Sequence, residues 1–322
     1  MSTKIKPVRS LFLISLTLLL TLSSACSVRR YAVNMVGDAL ASGNSVYESE
    51  EDIEIVGEAL PFGLKLTETL LGESPRHPGL LFTACQGYVL YSYAFVDYPA
   101  ELAEEEDLDR ARALQTRARK FYLRAHSYCM RGLERWYPGL ESALLIDPRG
   151  ALGKTVKKKG KRDLPFLYWT AASLGLAISA SRDDAAMLAR LPEVEALLDR
   201  ALDLDEDWNN GSLYEFKVQL AGAKVGEFDE PEITRNYERA LALSSGRHAG
   251  LFVTYAEALA IPNQDRDLFL SLIKRALAVD PDAEPEIRLI NLLAQRRAEF
   301  ILDRMDDLIL SDEPAQDQEG QR

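Results

Sequence analysis

The stretch RGALGKT (149–155) carries the glycine, lysine and threonine of a phosphate-binding loop, so nucleotide chemistry is the first to consider. That motif needs a glycine five residues before Gly153, where this chain has Pro148. It also needs a buried strand leading into the loop, and none is readable. The stretch is read as loop without nucleotide. His77, His126 and His248 are far apart, and none has a metal-like neighbour at helical spacing. They predict surface or satisfied core roles, not ligation or proton transfer. No Cys-x-x-Cys, His-Glu-x-x-His or serine-elbow motif occurs. Carboxylate pairs abound, but among 50 acidic residues they distinguish nothing. The sequence predicts no catalytic residue, no metal and no cofactor: a protein that is not an enzyme.

Three features remain that could bind something. Lys154, Lys157, Lys158, Lys159, Lys161 and Arg162 form a basic run inside an insertion at 147–164. It reads as a solvated charge run or, in so acidic a chain, as a docking point for an acidic partner or a phospholipid head group. Cys85 (FTACQGY) and Cys129 (HSYCMRG) lie in apolar helical sequence. A disulfide pinning two antiparallel helices fits them, and so do two buried free thiols. Aromatic residues gather in the middle of the chain, and most of them serve packing between helices. Tyr88, Tyr91, Tyr168 and Trp169 are the candidates for facing a peptide or an apolar ligand.

The elements that position these residues are read from one recurring ladder. In FLSLIKRALAVDPD, Phe269, Ile273, Ala276 and Leu277 fall at offsets 0, 4, 7 and 8, with Pro281 at 12. That spacing predicts one apolar helical face and a stop just past the last turn. The ladder recurs as Ile233, Tyr237, Ala240, Leu241, with Ser245 in the proline slot, and as Val194, Leu198, Ala201, Leu202, with Glu206 there. The alanines are 39 and 36 residues apart, close to the tetratricopeptide period of about 34. Ala118, Tyr122 and Ala125 repeat the pattern in degenerate form. The fold class expected is all-α: antiparallel helix pairs stacked as a tetratricopeptide-like α-solenoid with a C-terminal capping helix.

In chain order, Lys4, Lys6 and Arg9 precede the apolar run Leu11–Leu22, too short to span a membrane, and Ser23, Ser24 and Ala25 lead into Cys26. The ending resembles a bacterial lipobox, with Ser23 where leucine is usual. It implies a signal peptide over 1–25 and a lipid on Cys26, and Ser27 suggests the outer membrane. Removing 1–25 takes three positive charges and no negative ones, so the net charge goes from −12 to −15, which disfavours nucleic acid and anionic membrane surfaces. A helical body is expected over 26–310. Within it Pro61 predicts a kink or break, an apolar helix covers 79–98, and a long one covers 108–137. Further helices are expected at 165–179, 185–203, 208–224, 233–243, 249–261, 268–279 and 285–310. The polar, acidic residues 311–322 predict a disordered tail. Helix 285–310 reads as the cap, and Leu293→Asp as a variant costing several kcal/mol through burial of a charge.

The terminal segment RLINLLAQRRAEFILDRMDDL, with Arg288, Asn291, Leu292, Leu293, Ala294, Gln295, Arg296 and Arg297, resembles that of the TatT component family. So do YAEALAIPNQD (255–265), FYLRAHSYCMRGLE (121–134) and PFLYWTAASLGLAIS (165–179). The resemblance spans about Tyr31 to Leu310. It implies a periplasmic lipoprotein associated with a tripartite ATP-independent periplasmic (TRAP) transporter. Such a protein is all-helical, self-associating as a trimer and bound to the substrate-binding subunit, and it carries a cavity for an apolar, acid-type ligand. The competing expectation is a lipid-anchored scaffold for outer-membrane assembly or secretion. That role would call for a polar, Asn- and Lys-rich groove where a transport accessory would have aromatics around a cavity.

Overall fold

The structure is a computed structural model describing residues 29–155, 163–181, 183–224 and 228–310. The signal segment, Cys26, the basic side chains from Lys154 to Arg162 and the acidic tail lie outside the described residues. Helix α1 covers 29–42. The others are α2 (Asn44–Glu48), α3 (Ile53–Glu73), α4 (Pro78–Ser92), α5 (Tyr98–Ala103), α6 (Leu108–Glu134), α7 (Leu140–Leu144) and α8 (Pro148–Thr155). They continue with α9 (Leu164–Ser179), α10 (Ala185–Leu188), α11 (Leu191–Leu204), α12 (Ser212–Gly222), α13 (Glu230–Ser244), α14 (Ala249–Tyr255), α15 (Arg266–Leu277), α16 (Arg288–Asp303) and α17 (Met305–Leu308). No strand occurs among the described residues.

Part of the acidic excess sits at helix N-termini. Asp52, Asp107, Asp229 and Asp265 accept from the backbone N–H of Ile55, Arg110, Glu232 and Leu268 at 2.9–3.0 Å. Each such cap contributes about 1 kcal/mol. The same chemistry overturns one expectation. Asp147-Pro148, read as loop, is an N-cap with proline in the first turn: Asp147 Oδ1 accepts from the Gly150 N–H at 3.0 Å, and 148–155 is helix. Ala151 and Leu152 are buried there, where α8 packs against α11. Pro61 does not break α3, whose stripe Val56, Leu60, Leu64 and Leu71 is buried along its whole length. The expected helix 208–224 is divided because Asn209 (φ 47°), Asn210 (φ 52°) and Gly211 (φ 97°) are left-handed. At Gly211 a Cβ would meet the Ala240 carbonyl oxygen at 3.0 Å, so the close approach to α13 also needs glycine.

Helices pack in succession, α3 with α4, α4 with α6, α6 with α9, α9 with α11, α12 with α13 and α14 with α15, and the ladder residues lie on α6, α11, α13 and α15. Helices α4 and α6 are antiparallel: Cys85 is bonded to Cys129, and Ser92 Oγ donates to the Ala118 carbonyl at 3.1 Å, so the numbers run in opposite directions. The Cys85–Cys129 disulfide, with Cα atoms 5.1 Å apart, therefore ties the middle of α4 to the C-terminal part of α6. Ala118, Tyr122 and Ala125 are fully buried, as are Phe269, Ile273 and Ala276. Leu277 is instead 37% exposed. Offset 8 lies about 80° round the helix from offset 0, at the edge of the stripe, and the fourth rung leaves the core there.

Helix α16 covers the last pair through α14 and α15, and it also reaches the beginning of the chain. Leu289 is buried with Ile53, Val56 and Leu60 of α3. An Arg288 guanidinium N–H donates to the Ser49 carbonyl at 2.7 Å, and Arg296 pairs with Glu54 at 2.6 Å. Helices α3 and α16 thus meet, and a space opens between the pairs. Leu293, expected to be a core residue, is only half-buried and faces that space.

Candidate functional site

Two π-helical turns shape the space between the pairs. The continuous helical run Pro78–Ala103 is apolar and half-buried. At Tyr93–Asp97 it widens into a π turn in which the Tyr98 N–H donates to the Tyr93 carbonyl. After α14 a second π turn, Ala256–Ala260, places the Ile261 N–H on the Ala256 carbonyl at 3.0 Å. An extra residue in a turn shifts the register of the residues after it, and such turns concentrate at functional sites. Here both turns face one cavity of about 330 Å³. The first supplies Tyr93, Ala94 and Asp97, and the second supplies Glu257 and Ala258. Tyr98 and Glu101 of α5, Leu176 and Ser179 of α9, Gln219 and Gly222 of α12 with Ala223 after it, Thr254 of α14 and Leu293, Arg296 and Arg297 of α16 complete the wall. Gly222 admits the second turn, since a Cβ there would sit 2.5 Å from that of Ala258.

The chemistry of this cavity centres on Arg297. Its guanidinium meets Glu257 at 2.8 Å, donating through Nε at 2.9 Å, and it also pairs with Glu101. Burial is the main influence on it and lowers its proton affinity. Burial pushes the Glu257 carboxyl up, to about 7, and the guanidinium beside it opposes that shift. Tyr93 has 41% of its surface accessible, yet burial pushes its phenol up to about 12. Its side chain lines the cavity. Asp97 is held by the Tyr122 hydroxyl at 2.8 Å.

Arg297→Met is expected to leave Glu101 and Glu257 facing each other and to cost about 1–2 kcal/mol at neutral pH, less than a dry pair because the cavity admits water. In that variant Glu257, raised by burial, binds a proton in the folded chain where the unfolded chain stays ionised. That contribution is fully present below about 4.5 and lost as pH rises through about 7 or above, since the guanidinium that opposed the shift is gone. Melting temperatures across that range check this, and Glu257→Gln in the same background should flatten the profile. A flat profile in Arg297→Met alone would remove Glu257 from the account.

None of the four aromatics singled out from the sequence lines the cavity. Tyr88 is buried beside Phe121 and Tyr128, and Tyr91 packs on Phe95 and Phe121. Tyr168 and Trp169 meet edge to face at 5.2 Å, and Tyr168 also meets Trp208 and Phe216. The cavity tyrosines are Tyr93 and Tyr98. No local pattern distinguishes them, because the π turn that aims Tyr93 has no sequence period of its own. The histidines have structural roles. His77 accepts from the Leu80 N–H as the cap of α4, and its other ring nitrogen lies 3.2 Å from Asp38. His126 is buried against the Thr170 carbonyl at 3.4 Å, with Arg190 at 3.3 Å; burial, then Arg190, push it down to about 4. His248 faces Glu215 at 3.7 Å. Among the described residues no group of three or more His, Cys, Asp or Glu could hold a metal.

The sequence profile of the TRAP transporter T-component family matches residues 49–309, from just before α3 to the end of α17. The chain belongs to this family. It is also similar to an uncharacterized protein of Treponema pallidum (strain Nichols), 27% identical over 305 residues that cover 90% of this chain and 94% of the relative. Membership places the chain with accessory components of a transporter. The matched segment contains both π turns, Arg296 and Arg297, so the T-component profile encloses the whole cavity.

Proposed function

We propose that this T-component is an exported, non-enzymatic accessory of a TRAP-type transporter, anchored by a lipid on Cys26, and that its cavity holds an apolar organic acid on behalf of the substrate-binding subunit. The observation that carries the reading is a half-buried arginine, Arg297, in a cavity that also presents Tyr93, Tyr98, Leu176 and Leu293 beside polar Ser179, Gln219 and Thr254. A carboxylate reaching Arg297 would take the place of Glu257 or Glu101. A displaced Glu257 has no charge partner, and its burial favours taking up a proton. Ligand uptake is then linked to proton uptake, and affinity rises as pH falls. A tetratricopeptide-like stack and association into trimers belong to the same reading, supported by the succession of helix pairs and by family membership.

Titration calorimetry of the full chain with octanoate tests the site. The expected result is binding that tightens between about pH 8 and about pH 6 and weakens about tenfold or more in Arg297→Gln. Binding that ignores that substitution would place the ligand elsewhere, and no binding at either pH would end the organic-acid reading. Co-elution of the chain with the transporter's substrate-binding subunit tests the partner separately.

A further inference from the structure

Helix α6 inverts the charge of the protein. In a chain of net charge −12, it carries seven Arg and Lys against two Asp and Glu. Arg110, Arg117, Arg124 and Arg131 recur every seven residues, so they form one row that drifts only about 20° per step, with about 10 Å between neighbours. All four are exposed. Among the described residues no carboxylate lies within 4 Å of Arg110, Arg117 or Arg131, and Arg124 reaches Glu68 at 3.6 Å. Lys65 also holds Glu68, at 2.7 Å. Among the described residues, three of the four arginines in the row are therefore left without a carboxylate partner.

A second feature sits beneath the row. Arg117 lies over the Phe121 ring at 5.2 Å, Arg124 over Tyr88 at 5.3 Å and Arg131 over Tyr128 at 5.2 Å. Arg124 also donates to the Tyr88 hydroxyl at 3.2 Å, and Arg131 to the Pro75 carbonyl at 2.9 Å. Stacking on half-buried or buried rings fixes the guanidinium planes before any partner arrives, which lowers the entropy cost of binding.

We infer that this face of α6 docks an acidic α-helix of a partner protein, one with carboxylates at the same seven-residue spacing. Two helices crossing at about 20° keep such rows in register over several turns, and the arginine fork matches a carboxylate in two hydrogen bonds. Charge complementarity favours a protein over a lipid surface. The acidic body as a whole is repelled by an anionic membrane, and the rings lie under the arginines, where none can insert between lipids. The inference is independent of what the cavity holds.

The test uses two synthetic helical peptides of equal composition and charge, one with glutamates every seven residues and one with them scattered. Fluorescence anisotropy with the full chain should show the in-register peptide binding about tenfold tighter, and more weakly as salt is added. Arg117→Gln/Arg124→Gln/Arg131→Gln should remove that preference with the melting temperature kept. If the triple variant fails to fold, Arg117→Gln alone should reduce the preference, since Arg117 has no carboxylate partner to lose. Equal binding of the two peptides, or a preference indifferent to these substitutions, overturns the inference. Arginine-dependent binding to phosphatidylglycerol vesicles without a peptide preference overturns it in favour of a lipid surface.

Discussion

Replacing both Cys85 and Cys129 with alanine is expected to destabilise the protein by about 4 kcal/mol. The bridge closes a segment of 44 residues, and in the chain-entropy account a loop of that size restricts the unfolded chain by roughly this amount. Both cysteines are fully buried, in helices that pack closely on each other. The alanines leave little cavity, and the loss falls mainly on the unfolded state. For a body of this size the melting temperature should fall by roughly 10 °C. Scanning calorimetry of oxidised and reduced wild type alongside the double variant checks this, because reductant should move the wild type towards the variant and leave the variant unmoved. Identical melting of oxidised and reduced wild type would refute the contribution.

Leu289→Asp is expected to cost about 4 kcal/mol by a different route. Leu289 is 3% exposed and packs on Ile53, Val56 and Leu60, so the substitution buries a carboxylate at the contact that joins the two ends of the chain. Leu293→Asp, four residues on, should cost only about 1 kcal/mol, because Leu293 is half-buried and its new charge would meet the cavity beside Arg296 and Arg297. Denaturant unfolding of the two variants gives the comparison. Equal losses would mean that α16 is a uniform cap, and a wild-type midpoint for Leu289→Asp would mean that the meeting of α3 and α16 adds nothing.

The helix pairs are legible in the sequence because their signal is local. Phe269, Ile273 and Ala276 lie within eight residues, and the period of a helix alone sends them to one side. The meeting of α3 and α16 is not legible, because Ser49 and Arg288 are 239 residues apart and each sits in an ordinary polar context. The site escapes sequence reading for a related reason. An aromatic-rich helix names Tyr88, Tyr91, Tyr93 and Tyr98 equally, and which of them faces inward depends on one wide turn. Asp147-Pro148 shows the opposite error: the same two residues start a turn or cap a helix, and the buried Ala151 and Leu152 behind them decide for the helix.

The two wide turns bear on how such a cavity could arise and change. Each holds one residue more than a regular helix would place there, so loss of a single codon from either would restore the ordinary winding. Residues on one side of the edit would then swing by about 100° relative to those on the other. At Tyr93–Asp97 that exchange would redirect Tyr93 and Asp97, and at Ala256–Ala260 it would redirect Glu257, while the opposing wall on α16 stayed as it is. Val96, Ala256 and Leu259 of the same turns are buried in the core, so the swing would move cavity lining and core packing together. What the cavity presents and how the body packs are in this sense inherited as one.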